Sequence, residues 1–329
     1  MLTIKLKPAI LGSALAALIA AATMAWPGAA LAQNKVTKLI VAFPPGGPVD
    51  IVARLIADPM SKDLGQSIIV DNKPGGGTII AAEAVARSPA DGSVIFLTSM
   101  TTVVLNTKLY DKLPYDPIND FAPISLVITT PTVLVTHPSN PAKDAIELAA
   151  AAKAAKEPMP IASAGIGGTT HISLELYNDA AGIKTLHVPY KGAAPALQDL
   201  IANQTTAFFG DLPGLIGHVR GGKLRALGVL SKKESPQLPG VKTFAAQGMP
   251  SVEMENWYGL YAPAKTPPEL VAKLNKAVHA ALADAGVKAK LTDIGAEVIP
   301  STPELLRKTQ LEDIERFGAI IKAKNIKVE

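Results

Sequence analysis

Short apolar runs and amphipathic stretches alternate along the chain. Residues 38–43 (KLIVAF) form an apolar run that ends in Pro44-Pro45-Gly46-Gly47. Behind it Ile51, Val52, Leu55 and Ile56 recur at helical spacing, so a strand, a turn and a helix are predicted in that order. Pro59 falls inside that helix and predicts a kink or break near Asp58, because proline lacks the amide N–H and crowds the preceding turn. Residues 67–71 read as a second strand, Pro74-Gly75-Gly76-Gly77 as a loop, 78–87 as helix and 94–99 as a third strand. The pattern then repeats. Strands are predicted at 161–163, 186–188, 205–210 and 226–230, with helices at 170–181 and 193–203 between them. Strands separated by helices of this length point to parallel, doubly wound sheets, here in two α/β units.

Two segments read as crossings between the units. Residues 124–137 are strand-like and broken by Thr129-Thr130-Pro131, and residues 255–263 (ENWYGLYAP) carry three of the few aromatic residues. The helices predicted at 268–284, 287–294 and 302–324 have no sheet of their own and are expected to pack back on the first unit. The chain of 329 residues suits about two domains. The expected division is a discontinuous first domain, 33–128 with 257–329, and an inserted second domain, 129–256, joined by two hinge strands.

The first 32 residues change the compartment. Lys5 and Lys7 precede an uncharged stretch at 9–26, and Ala30-Leu31-Ala32 fits a small-residue cleavage site. This reads as an export signal, residues 1–32, cleaved after Ala32. An uncleaved anchor is the competing reading, but the stretch is barely long enough to span and Pro27-Gly28 follows it. The formal net charge is +4; removing the two leader lysines leaves +4 − 2 = +2, too little for a nucleic-acid footprint. There is no cysteine, so disulfides, cysteine nucleophiles and cysteine-held metals are excluded.

Ligands of open α/β sheets sit at the carboxyl ends of the strands. The loops there are 43–50, 73–78, 99–102, 163–170 and 210–213, rich in Gly, Pro, Ser and Thr. Four run straight into a helix, whose first turn offers unpaired N–H groups and a positive dipole end. Together they could hold an anion without Arg or Lys; singly, each reads as an ordinary turn or cap. Asp50 and Asp211 lie at such junctions, as helix-start acids or as cleft groups that orient a ligand. Asp211→Ala is expected to weaken binding without unfolding the chain. His171, at a helix start, reads as a capping or packing residue. The five histidines are scattered, which argues against a metal site, and no dinucleotide, phosphate-loop, nucleophile-elbow or zinc-protease motif appears. Neither a cofactor nor an enzyme activity is expected.

Several motifs stand in one order: Phe43-Pro44-Pro45-Gly46-Gly47-Pro48-Val49-Asp50, Asp71-Asn72-Lys73-Pro74-Gly75-Gly76-Gly77, Pro114-Tyr115-Asp116-Pro117, Asp120-Phe121-Ala122-Pro123, Ala162-Ser163-Ala164-Gly165, His187-Val188-Pro189-Tyr190-Lys191-Gly192 and Gly222-Lys223-Leu224-Arg225-Ala226-Leu227. Across the mature chain they resemble the Bug-type substrate-binding receptors of tripartite tricarboxylate transporters. The resemblance implies a type II periplasmic binding protein, with two doubly wound α/β lobes closing on a small carboxylate. The ligand would be a di- or tricarboxylate, an aromatic acid or an acidic amino acid, held by loop backbone and ordered water. It further implies a monomeric periplasmic protein with a membrane permease as partner. Loops and resemblance together nominate Phe43, Pro44, Gly46, Gly47, Asp50, Thr78, Ser99, Thr101, Ser163, Gly167, Thr169, His171, Tyr190 and Asp211 as ligand-binding. Val49 departs from the Thr or Ser often found there and removes one hydroxyl. The rival readings are an orphan sensor signalling to a membrane kinase, a small-acid hydrolase or isomerase, and a structural exported protein.

Overall fold

The structure, a computed structural model, describes residues 36–324 and 326. The predicted export signal and its cleavage point lie outside the described residues. Strand β1 (Thr37–Val41) pairs in parallel with β2 (Ile68–Asn72) and β3 (Val94–Ser99). Helix α1 (Pro48–Leu64) connects β1 to β2, and α2 (Ile79–Ala86) precedes β3. All six residues of β3 are buried. Strands covered on both faces read as continuous apolar runs rather than as alternation, which is why KLIVAF and VIFLTS stand out in the sequence.

A helical turn at Thr101–Leu105 and α3 (Asn106–Leu109) lead to β4 (Phe121–Thr136), a strand of 16 residues. Then come α4 (Ala145–Ala154), β5 (Pro160–Ser163), α5 (Thr169–Ala181), β6 (Leu186–Pro189), α6 (Ala193–Ile201), β7 (Ala207–Asp211), α7 (Leu212–Arg220) and β8 (Arg225–Val229). The chain closes with β9 (Glu255–Pro263), α8 (Pro268–Ala283), α9 (Ala285–Asp293), β10 (Glu297–Val298) and α10 (Pro303–Ala323). Among the described residues no helix is long and apolar enough to cross a membrane.

The strand order is β2-β1-β3-β9-β4-β7-β5-β6, with β8 and β10 also on β4. Strand β4 changes partners along its length. Phe121 to Pro131 run antiparallel to β9, and from Thr132 onward the partners are β7 and β8. The changeover also ties down the end of the preceding loop: the Thr132 N–H donates to the Met254 carbonyl, and Met254 N–H to the Leu230 carbonyl. The α/β expectation holds within each run of strands, but the sheet as a whole is mixed, because β4 and β9 are antiparallel to their neighbours.

Two local expectations are corrected. Thr129-Thr130-Pro131 does not break the crossing segment; Pro131, which has no N–H to give, stands where β4 changes partners. Pro59 does not break α1. One missing helical bond is outweighed by the buried stripe of Val52, Ile56, Met60 and Leu64. The C-terminal helices are tied by polar contacts to the segment that follows β3 and to the start of β4. Gln310, fully buried, donates to the carbonyls of Val103 (3.0 Å) and Pro117 (2.9 Å), and Asn275 donates to Ile124 (2.7 Å).

Candidate functional site

The segments that follow β1, β2, β3, β5, β6 and β7 line a cavity of about 440 Å³. Its first wall is the 43–47 loop, held from behind by Asp50. The Asp50 carboxylate accepts from the Gly46 N–H (2.9 Å), Arg54 Nε (2.9 Å) and Asn72 Nδ2 (3.0 Å), and Asn72 also donates to the Phe43 carbonyl (3.0 Å). Burial would raise the Asp50 pKa; hydrogen bonds from Arg54, Gly46 and Asn72 outweigh it and hold the carboxyl below its ordinary value. Asp50 therefore stays charged and shapes the loop from outside the cavity wall. Asp50→Ala is expected to cost about 1 kcal/mol, from the partly buried bonds of Gly46 and Asn72 that it removes rather than from the exposed Arg54. It should also weaken ligand binding, and denaturant unfolding with ligand titration checks both.

The second wall is the 164–168 loop. His171 Nδ1 accepts from the Gly167 N–H (3.0 Å), and the Thr170 hydroxyl accepts from the Ala164 N–H (2.9 Å). The His171 ring stacks on His187 at 4.0 Å between centroids, and His187 Nε2 lies 2.6 Å from Ser163 Oγ. Burial first, then the neighbouring His171, push His187 down to about 4, with Glu175 acting in the opposite sense. This Ser–His contact is a scaffold. Ser163 is fully buried and does not line the cavity; its hydroxyl bonds within the 163–165 turn and to His187. Among the described residues no three His, Asp or Glu gather as a metal group.

The floor is made by three adjacent strands. Asp211 ends β7 directly opposite Thr132 of β4, and Asn256 and Tyr258 project from β9. The Asp211 carboxylate accepts from the Tyr258 hydroxyl (2.7 Å), Asn256 Nδ2 (2.7 Å) and the Thr132 hydroxyl (3.4 Å). Burial pushes Asp211 up to about 6 against the lowering effect of those three bonds. On the remaining side Asn106 Nδ2 donates to the Gly77 carbonyl (3.0 Å) and to Thr78 Oγ1 (3.3 Å), fixing the Gly-rich turn. The Tyr190 hydroxyl donates to Asp199 (2.6 Å), and burial together with Asp199 pushes it up to about 12.

Of the fourteen nominated residues, Phe43, Pro44, Gly47, Thr78, Ser99, Thr101, Thr169, Tyr190 and Asp211 line the cavity. Gly46, Asp50, Ser163, Gly167 and His171 do not; they form the hydrogen-bonded layer that positions the two loops. Sequence reasoning missed Asn256, Tyr110, Ile166, Lys191 and Gly192, all of which line it. An amide inside the apolar crossing segment ENWYGLYAP was the available signal for Asn256.

Helices α1, α5 and α6 begin at the cavity with Gly47, Gly168 and Gly192, and none of the three has a side-chain cap. Asp144, Asp284 and Thr302 cap α4, α9 and α10, while α2, α7 and α8 start at Thr78, Asp211 and Pro267 without a side-chain cap. First-turn amides left free by side chains are available to an anion. The walls are otherwise largely apolar, from Phe43, Pro44, Pro48, Val49, Ile79 and Ile166, and among the described residues the formally charged side chains that line it are Lys191 and Asp211. Two glycine–proline contacts link the first loop and helix to the later strands' loops. A Cβ built on Gly192 would lie 2.6 Å from Pro44 Cγ and closer still to its Cδ, and one on Gly214 would lie 3.2 Å from Pro48 Cδ.

Residues 52–326 match the family model described as the tripartite tricarboxylate transporter family receptor. Among solved structures, the chain is similar to the periplasmic binding protein BugD, at 32% identity and a TM-score of 0.86, covering 89% of this chain and 99% of that one. It is similar to MatC from Rhodopseudomonas palustris with bound malate, at 34% identity and a TM-score of 0.82, covering 87% and 99%. It is also similar to Rpa4515 from R. palustris with adipate, at 32% identity and a TM-score of 0.86, covering 92% and 99%. The first is a periplasmic binding protein, and the other two hold a small carboxylate.

Proposed function

This chain belongs to the tripartite tricarboxylate transporter receptor family, and we propose that it captures a small carboxylate with an apolar body in the periplasm and delivers it to a membrane permease. The observation that carries the reading is the convergence of three uncapped helix starts on one mostly apolar cavity. A carboxylate satisfies the amides, and the apolar walls take the rest of the ligand. The volume of about 440 Å³ is ample for such a body, given that an apolar cavity of roughly 150 Å³ takes up a benzene ring. Adipate in one related structure has such an aliphatic body, and malate in another shares the carboxylate.

In this reading residues 33–128 with 257–329 form one lobe and 129–256 the other. The lobes hinge where β4 changes partners and where the chain enters β9. The ligand shifts the balance toward closure because only the closed state contacts it from both sides. Micromolar binding corresponds to about −8 kcal/mol. Helix starts contribute roughly 0.3–1 kcal/mol each, so desolvated hydrogen bonds and apolar contact supply most of the affinity.

The test is a melting-temperature screen of the purified protein against mono-, di- and tricarboxylates, aromatic acids and acidic amino acids. A ligand present at 100 times its Kd stabilises by about 2.7 kcal/mol, or about 5 °C and upward for a chain of this size. A flat response across all classes would rule out carboxylate capture.

A further inference from the structure

We propose that the ligand carries a hydrogen-bond donor, a hydroxyl or an ammonium group, besides its carboxylate, and that Asp211 and Asn256 together read it. The inference rests on the carboxylate reading above and names its class more narrowly: hydroxy- or amino-substituted carboxylic acids.

The cavity floor is short of donors. Asp211 Oδ2 accepts two close bonds, from the Tyr258 hydroxyl and Asn256 Nδ2, both at 2.7 Å. Its Oδ1 accepts one bond, from the Thr132 hydroxyl at 3.4 Å, the far edge of useful geometry. Donation to Asp211 fixes the Asn256 amide, because the flipped amide would set oxygen against carboxylate. Asn256 Oδ1 is therefore the free end, and it has no partner although the residue is 2% exposed. Both residues line the cavity. A buried acceptor without a partner costs about 1–3 kcal/mol, and here a weakly bonded one and an unbonded one lie on hydrogen-bonded neighbours.

Beside the pair, the Thr132 and Tyr258 hydroxyls and one of the two Asn256 N–H groups are already given to Asp211 itself. A bare carboxylate placed against Asp211 Oδ1 and Asn256 Oδ1 would set oxygen acceptors against oxygen acceptors. The same carboxylate finds free amides at the helix starts of α1, α5 and α6. The cavity is thus polarised, with anion-accepting helix starts and a donor-accepting floor. Occupancy by the donor completes the floor's hydrogen bonds; a ligand without it leaves them open, which penalises the wrong ligand more than it rewards the right one.

The test compares acids that differ by one donor, by titration calorimetry on the wild-type protein. One series is succinate, malate and aspartate; the other is benzoate with its hydroxy and amino derivatives. In at least one series the donor-bearing acid is expected to bind about tenfold or more tighter than its parent, the value of one hydrogen bond to a charged group. Asp211→Asn keeps an acceptor for Tyr258 and Asn256 but turns the other oxygen into a donor, so the ratio should fall below about threefold, since a donor facing a donor gains nothing. Parent acids that bind as tightly as their substituted partners overturn the inference while leaving carboxylate capture intact. So does a ratio unchanged in Asp211→Asn. Absence of binding by every acid overturns the carboxylate reading itself. The wild-type ratios decide the point even if the variant does not fold.

Discussion

Asp211→Ala is expected to lower the melting temperature of the ligand-free protein by about 5–10 °C, and Asp211→Asn by much less. The carboxylate is buried and accepts from Tyr258, Asn256 and Thr132, which come from two other strands. Alanine strands the Tyr258 hydroxyl and the Asn256 amide in the interior, at about 1–3 kcal/mol for each lost partner. Asparagine keeps one oxygen for those two donors. From sequence alone, alanine was expected to spare the fold and harm only binding; the three cross-strand donors change that expectation. A pH signature separates the charge from the hydrogen bonds. Burial raises Asp211 above its unfolded value to about 6, so its contribution to stability is full at low pH and is lost as pH rises through about 6. Between pH 4.5 and about 6 the wild type should lose about 2 kcal/mol relative to Asp211→Asn. Melting curves of both proteins from pH 4.5 to 7.5 check it. A gap that does not change with pH would mean that Asp211 does not titrate in this range.

The same residue marks where the sequence stops being informative. The strand-end loops were legible because clusters of Gly, Pro, Ser and Thr interrupt apolar runs just before helical spacing begins. That signal gives loop membership and says nothing of side-chain direction. Asp50 and His171 sit in the nominated loops yet face away from the cavity, each accepting from a loop amide, because their partners Gly46 and Gly167 are only four residues away and draw them back. Asn256 was missed for the opposite reason. Its partner Asp211 is 45 residues distant in sequence, and only the pairing of β4 with both β7 and β9 brings the two together. Pro131 and Pro59 were read by their local cost alone, and tertiary pairing and a buried helix face outweighed that cost. Val49 was read as a lost hydroxyl. It is buried, packed in the apolar core beneath β1, and contributes shape to the cavity wall.

Gly192→Ala is expected to weaken ligand capture by roughly 30–150-fold, about 2–3 kcal/mol. Two costs add there. Gly192 holds φ +114, a backbone conformation that residues with a Cβ rarely adopt, at about 1–3 kcal/mol. The added Cβ would also overlap Pro44 of the first loop, with its Cγ at 2.6 Å and its Cδ nearer. The strain acts in every state of the protein and appears as lost melting temperature without ligand. The overlap acts only when the 44 and 192 loops meet, so it disfavours the proposed closed state and lowers affinity by the fraction of molecules still able to close. Pro44→Ala removes the Cγ and Cδ that the new methyl would meet. A double-mutant cycle over Gly192→Ala and Pro44→Ala, read by both Kd and melting temperature, therefore separates the two costs. If closure brings the loops together, Pro44→Ala restores most of the affinity lost in Gly192→Ala but little of the stability. Strict additivity in Kd would mean that the contact between the two loops is the same in the free and bound states and would remove lobe closure from the mechanism, while leaving the anion-binding helix starts in place.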